Sequence, residues 1–284
     1  MNSSAISTRR AAFICAALFA FVAAPLPVLA NDASVQTEKA FEPKVGQDGK
    51  DVVWVPTAQV LVDKMLDMAG VTPDDFVIDL GSGDGRTVIT AAKRGVRAHG
   101  IEYDSRMVEL SKRNAEQAGV SDRATFEQAD IFQTDFSKAS VLTLFLLPDL
   151  NVKLRPAILK MKPGTRVVAN SFGMSDWHAD ATESVGEDCT SYCRAYLWIV
   201  PADAAGTWSL PQGKLTLQQK YQVVSGALET GAKSLDVIDG RLRGEEITFN
   251  AGGMRFSGRI KGDVIEGVMK SGEREETFQA RRAN

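Results

Sequence analysis

The sequence predicts an α/β fold followed by an all-β module, and three observations carry that reading. Between residues 52 and 201, short apolar runs alternate with segments of helical periodicity, the pattern of a parallel sheet covered on both faces by helices. After Pro201 the helical period disappears, and short alternating runs recur between glycine turns, which predicts an antiparallel sheet or small barrel. The 284 residues, 44% of them hydrophobic, suffice for about two domains with separate cores. The expected division is 1–30 as a signal peptide, 31–51 as a linker, 52–204 as the α/β domain and 205–284 as the β-rich domain.

The first segment reads as an address. Arg9 and Arg10 precede an uncharged apolar run that is broken by Pro25 and Pro27 and ends in Val28, Leu29 and Ala30. A positive start, an apolar middle and a small-residue end describe a cleaved secretory signal, with Asn31 as the mature start. Export to the periplasm or outside follows, with retention at the inner membrane as the alternative if the segment is not removed.

The α/β elements follow in order. Val77, Ile78 and Leu80 belong to a buried strand that ends in Gly81-Ser82-Gly83-Asp84-Gly85. Residues 87–94 read as a helix stopped by Gly95, and 97–101 as the second strand. Asp104 stands where an N-cap belongs, before a helix carrying Met107, Val108, Leu110 and Ala115 at helical spacing. Strands are expected at 125–128, 141–146 and 166–169, with a helix over 150–161 and a late strand over 194–200. In the β-rich region, alternate positions from Leu215 to Val223 and later runs to residue 280 read as strands. Asp239-Gly240, Gly252-Gly253, Lys261-Gly262-Asp263 and Ser271-Gly272-Glu273 read as hairpin turns. Cys189 and Cys193 are separated by three residues, a spacing that leaves a disulfide and two free thiols both open.

Charge and composition exclude several functions. The net charge is −3, with no basic surplus to bind a nucleic-acid backbone. Three Cys and two His leave little material for a metal site. The two His, His99 and His178, and the lack of a G-x-S-x-G motif argue against a serine hydrolase.

The chemistry lies in the glycine loop. Its G-x-G-x-G spacing differs from the dinucleotide fingerprint, and no P-loop lysine follows. Glu102, about 20 residues on at the end of the next strand, is placed to accept ribose hydroxyls. Asp130 and Ile131 follow the third strand. These elements end successive parallel strands and converge on the crevice where such sheets bind ligands, so a nucleoside-containing ligand is expected.

Asp79 with the Gly81–Gly85 loop resembles the first motif of the class I S-adenosylmethionine-dependent methyltransferases, and the likeness spans about residues 52–200. The resemblance implies a Rossmann-like sheet and S-adenosyl-L-methionine as cofactor. It also implies that Asp79, Gly81, Ser82, Gly83, Asp84 and Gly85 hold the methionine portion. By the same resemblance Glu102 holds the ribose, Tyr103 flanks the adenosine, and Asp130 with Ile131 hold the adenine. A narrower resemblance, to bacterial relatives of the ATP synthase c-subunit lysine methyltransferases and to Dot1-like enzymes, rests on four features. These are Val55-Pro56-Thr57, the run from Phe145 to Asn151, the run from Arg166 to Phe172, and Trp177. It implies a protein lysine as methyl acceptor and a contact from Thr57 to the cofactor. Thr57 also reads as a cap for a helix beginning near Ala58. By this resemblance Pro148 lines the acceptor channel. Asp149 is the candidate base by position, and also reads as the N-cap of the 150–161 helix. The alternatives are a small-molecule methyltransferase and a non-catalytic adenosyl-ligand binder whose β-domain recognises a partner. Oligomeric state is not readable from the sequence.

Overall fold

The computed structural model describes residues 41–283. The expected signal at 1–30 and the first half of the 31–51 linker lie outside the described residues. Among the described residues, no helix is long and apolar enough to cross a membrane.

The α/β half runs α1 (Gln59–Met68), β1 (Phe76–Leu80), α2 (Arg86–Lys93), β2 (Arg97–Glu102), α3 (Ser105–Gln117), β3 (Ala124–Gln128) and β4 (Val141–Leu144). It continues through α4 (Pro148–Ile158), β5 (Arg166–Asn170), β6 (Ala181–Ser184) and β7 (Arg194–Ile199). The sheet order is β3-β2-β1-β4-β5-β7-β6. The first five strands pair in parallel, while β7 is antiparallel to both β5 and β6. Strand order reverses between β1 and β4, which opens a crevice at the carboxyl ends of the strands. Side-chain alternation along each strand sorts the core into two layers. Val77, Val141 and Val168 pack with α1, α2 and α3. Ile78, Leu142 and Val167 pack with Leu154 and Ile158 of α4, and with Trp177 and Trp198.

Several expectations need correction. The fourth helix begins at Pro148, not near residue 150. Proline suits this first position because its ring presets the helical φ and its missing N–H is not needed there. The cap position is therefore Leu147, with no side-chain cap bond, and Asp149 sits in the first turn, where the helix dipole favours an acid. Thr57 caps nothing either, because the N-cap of α1 is Ala58. By contrast Asp104 does cap α3, accepting from the Arg106 amide at 2.9 Å. β4 stops at Leu144, and β6 carries no apolar signal because all four of its residues are exposed.

The β-rich half is a closed antiparallel barrel. Its strands are β8 (Gly206–Leu210), β9 (Gly213–Lys220), β10 (Val223–Thr230), β11 (Lys233–Arg243), β12 (Glu246–Ala251), β13 (Met254–Lys261), β14 (Val264–Ser271) and β15 (Arg274–Arg282). Closure comes where β15 pairs with β8, which removes the open edges of a flat sheet. The core is filled by Trp208, Leu215, Leu217, Phe249, Phe256, Ile265 and Phe278 among others, as an eight-stranded barrel permits. Leu215 to Val223 is not one strand: Tyr221 has φ 55° and, with Gln222, turns the chain between β9 and β10. Asp239-Gly240 is not a hairpin turn but a bulge inside β11, where pairing with both neighbours shifts register.

The barrel is fastened to the sheet at a seam. The Tyr221 ring stacks on Trp177 with centroids 5.8 Å apart, and its hydroxyl donates to Asp176 at 3.0 Å. Gln222 donates to the His178 carbonyl at 2.7 Å, and Arg241 to Asp180 at 2.7 Å. Ala202 and Ala204 already pack in the barrel core, on the sheet side of the expected division at residue 205.

Candidate active site

A cavity of about 510 Å³ lies at the carboxyl ends of the strands, within the range of small-molecule sites. It is lined by Thr57, Asp79, Gly81, Ser82, Gly83, Asp84, Glu102, Tyr103, Asp130 and Ile131. The structure thus brings together every binding residue expected from the sequence except Gly85. That glycine is the N-cap of α2 at φ 81°. A Cβ on it would fall 2.8 Å from the Phe126 ring and 2.9 Å from Ser111 Cβ, so it serves close packing behind the loop. Gly83 does face the cavity, at φ 55°, and a Cβ there would lie 2.7 Å from Trp54 Nε1. Backbone thus comes close to any ligand at that point.

The loop is held by α3, by Arg86 and by the end of β2. Ser111 of α3 donates to the Gly83 carbonyl at 2.8 Å, and Asn114 to the Asp84 carbonyl at 2.9 Å. Arg86 binds the Asp84 carboxylate from Nε at 3.0 Å and reaches the Thr57 carbonyl at 2.7 Å. Glu102 accepts from the Gly83 amide at 2.9 Å, from Tyr103 at 2.8 Å and from Asp104 at 3.0 Å. It therefore ties the glycine loop to the end of β2 while keeping unused lone pairs. Ser82 Oγ is buried without a partner and stands 2.5 Å from where a Gly100 Cβ would be, so it packs against β2.

Two carboxylates differ sharply in electrostatics. Asp79 is buried, and desolvation raises its pKa to about 7, against the opposing hydrogen bond that Thr143 donates at 2.6 Å. The Asp130 carboxyl is held below its ordinary range, first by its bond from Lys50 at 2.7 Å and then by the Phe132 amide. Lys50 also lies 4.8 Å from the Tyr103 ring centroid. Residues 44–54, expected as linker and helix approach, instead fold back on themselves: Gly46 and Trp54 are hydrogen-bonded, as are Gln47 and Trp54. Residues 47–57 all border the cavity.

The other end of the cavity is aromatic. Phe145, Phe172 and Tyr192 line it, with Leu146, Leu147 and Leu150. Asn151 of α4 is buried and donates to the Phe172 carbonyl at 3.1 Å. Asn170 donates to Thr57 Oγ1 at 3.1 Å, which fixes the approach to α1. Pro148 and Asp149 are exposed and do not border the cavity, because the first turn of α4 directs them to solvent. Neither is supported as a catalytic residue. The open question at Cys189 and Cys193 closes in favour of a disulfide, with Cα atoms 5.7 Å apart. Tyr192 lies within that loop. No sequence signal marked it, since it becomes a wall of the cavity only once the loop is folded.

These residues fit an adenosyl cofactor on structural grounds. A backbone cradle at Gly83 borders two strand-end carboxylates, Glu102 and Asp130, along one cavity. Among the described residues no group of His, Cys, Asp and Glu is arranged to hold a metal.

Comparison with known proteins agrees. The profile of the ANTKMT methyltransferase domain family matches residues 79–181. A protein-lysine N-methyltransferase of Saccharolobus islandicus is 40% identical over 152 residues, which span 52% of this chain and 94% of that protein. The mouse lysine N-methyltransferase of the ATP synthase c-subunit is 32% identical over 57% of this chain and 65% of its own length. Among solved structures, an RNA methyltransferase of Salinibacter ruber in complex with S-adenosyl-L-homocysteine is 44% identical. The match covers 52% of this chain and 95% of that one, with a TM-score of 0.49.

Proposed function

The chain belongs to the class I S-adenosylmethionine-dependent methyltransferases, in the family of the Saccharolobus protein-lysine N-methyltransferase, and from that premise we propose that it methylates lysine side chains of a protein acceptor. The observation that carries the proposal is the cavity's division into two halves. Polar residues at the ends of β2 and β3 face rings and aliphatic side chains beyond β4 and β5.

S-adenosylmethionine supplies an activated methyl group on a sulfonium sulfur. The work left to the protein is binding, alignment and exclusion of water. Asp79 and the loop from Gly81 to Asp84 take the methionine portion, with Thr57 beside it. Glu102 takes the ribose, Tyr103 flanks the adenosine, and Asp130 with Ile131 take the adenine. Phe145, Phe172 and Tyr192 receive the acceptor. A lysine ammonium entering apolar walls loses hydration, which lowers its hold on its proton and readies the neutral amine to attack. The released proton passes to water at the exposed rim beside Tyr192, because the lining carboxylates Asp79, Glu102 and Asp130 are engaged with the cofactor in this reading. The net charge of −3 favours a protein acceptor over RNA.

We propose further that the protein works outside the cytoplasm. Arg9, Arg10 and the apolar run behind them support export, and a Cys189–Cys193 disulfide is of the kind an oxidising compartment sustains. A reporter fused after residue 40 that is active only in the cytoplasm would refute this. The activity is tested by incubating envelope extract with methyl-labelled cofactor and hydrolysing the products. Label in mono-, di- or trimethyllysine is expected; label only in small solutes or RNA would refute a protein-lysine acceptor.

A further inference from the structure

Three rings from three separate segments meet at the acceptor end of the cavity. Phe145 follows β4, Phe172 follows β5, and Tyr192 precedes β7. Phe145 and Phe172 have centroids 6.3 Å apart and planes within 20° of parallel. Tyr192 stands edge-on to Phe145 at 5.3 Å and tilted to Phe172 at 5.8 Å. It remains 44% exposed, so one side of its ring is free to meet an incoming group.

Tyr192 does not hold this pose by itself. Its φ is 56°, and Asp188 in the same loop has φ 58°, left-handed conformations that non-glycine residues keep only when their surroundings enforce them. The enforcement comes from the Cys189–Cys193 disulfide, which closes the loop around Tyr192. Two backbone bonds then fix the loop to the sheet: Val185 to the Cys193 carbonyl at 3.0 Å, and Ser171 to the Arg194 carbonyl at 2.7 Å.

We infer that Tyr192 is an acceptor-recognition residue, positioned by the Cys189–Cys193 strap as the third wall of an aromatic port that takes the alkylammonium end of lysine. The inference rests on the protein-lysine reading and deepens it. Ring faces attract a cation, and ring edges pack against its methylene stem. Phe145 and Phe172 are held by strand ends and, through Asn151, by α4. Tyr192 is held by the strap. Opening the strap therefore removes one wall and leaves the cofactor half of the cavity as it was.

The test is steady-state methyl transfer to poly-L-lysine with labelled cofactor, run beside calorimetric titration with S-adenosylhomocysteine. Tyr192→Ala and the double variant Cys189→Ser with Cys193→Ser should each raise the acceptor KM about tenfold, the loss of one cation–π wall. The kcat and the S-adenosylhomocysteine affinity should stay within about twofold, and Tyr192→Phe should restore the wild-type KM. Dithiothreitol gives the same result without mutation. It passes two electrons and two protons to the disulfide, leaving two thiols on the protein and becoming a cyclic disulfide itself. An unchanged KM in Tyr192→Ala would overturn the port, as would a parallel loss of S-adenosylhomocysteine affinity. Wild-type protein that binds S-adenosylhomocysteine yet never methylates poly-L-lysine would instead overturn the lysine reading beneath it.

Discussion

In the α/β half Thr57, Asp79, Ser82, Ser111, Thr143, Asn151 and Asn170 are all buried, whereas the barrel's one buried polar side chain among the described residues is Gln222, which reaches back to the His178 carbonyl. Buried polar groups are costly unless they are paired. The α/β half sets many of them around the crevice, where Ser111 holds the glycine loop, Thr143 supports Asp79 and Asn170 orients Thr57, while Asp75 and Thr165 are buried at the opposite ends of β1 and β5. The barrel spends its interior on hydrophobic packing instead. The contrast assigns chemistry to the sheet edge and stability to the barrel, none of whose strands lines the cavity.

The largest effect that tests this contrast lies in the barrel. Phe256 is fully buried, stacked on Phe249 at 4.6 Å and edge-on to Phe278 at 5.3 Å. Phe256→Ala should cost about 3–5 kcal/mol of stability in denaturant titration, while the surviving folded protein binds S-adenosylhomocysteine as before. Weakened binding in that folded fraction would mean that the barrel shapes the cavity through the Tyr221 and Trp177 seam.

A smaller effect belongs to Asp79, whose folded pKa of about 7 lies well above the ordinary carboxyl value. Its neutral form is favoured by folding, so the associated stability is fully present below about pH 4. That stability is lost as pH rises through about 7. Asp79→Asn should flatten the fall in thermal stability between about pH 4 and pH 7, by an amount of the order of a few kcal/mol at its upper limit. Identical slopes in the two proteins would show that this carboxyl is not the titrating group.

Lys50 gives the smallest change. Its ammonium occupies the Asp130 carboxylate, so Lys50→Ala should leave stability untouched and speed cofactor association, most visibly at low salt. A slower association in stopped-flow measurements would make Lys50 a ligand contact rather than a latch.

Much of the α/β half was legible because its strands are apolar runs stopped by turn residues, and because Glu102 and Asp130 fall at strand ends. β6 was not: Ala181, Thr182, Glu183 and Ser184 are all exposed, and only pairing with β7 makes them a strand. Asp239-Gly240 carries the local chemistry of a hairpin turn, yet cross-strand pairing continues through it as a bulge. Asp149 has the residue type of a cap, but Pro148 takes the first helical position ahead of it. Tyr192 was hidden for a different reason. Its role arises from a disulfide and from two rings in distant segments of the chain, which no local pattern encodes.

The most direct test of the central claim is calorimetric titration of S-adenosylhomocysteine into the wild type and Glu102→Gln side by side. The substitution keeps the shape, but it removes the charge offered to the ribose and leaves one carbonyl acceptor for either the Gly83 amide or the Tyr103 and Asp104 amides. Saturable wild-type binding that weakens by about 1.5–3 kcal/mol in the variant, or roughly ten- to more than a hundredfold, is the predicted result. Equal affinities, or no binding by folded wild-type protein, would contradict the assignment of this crevice as a methyltransferase active site.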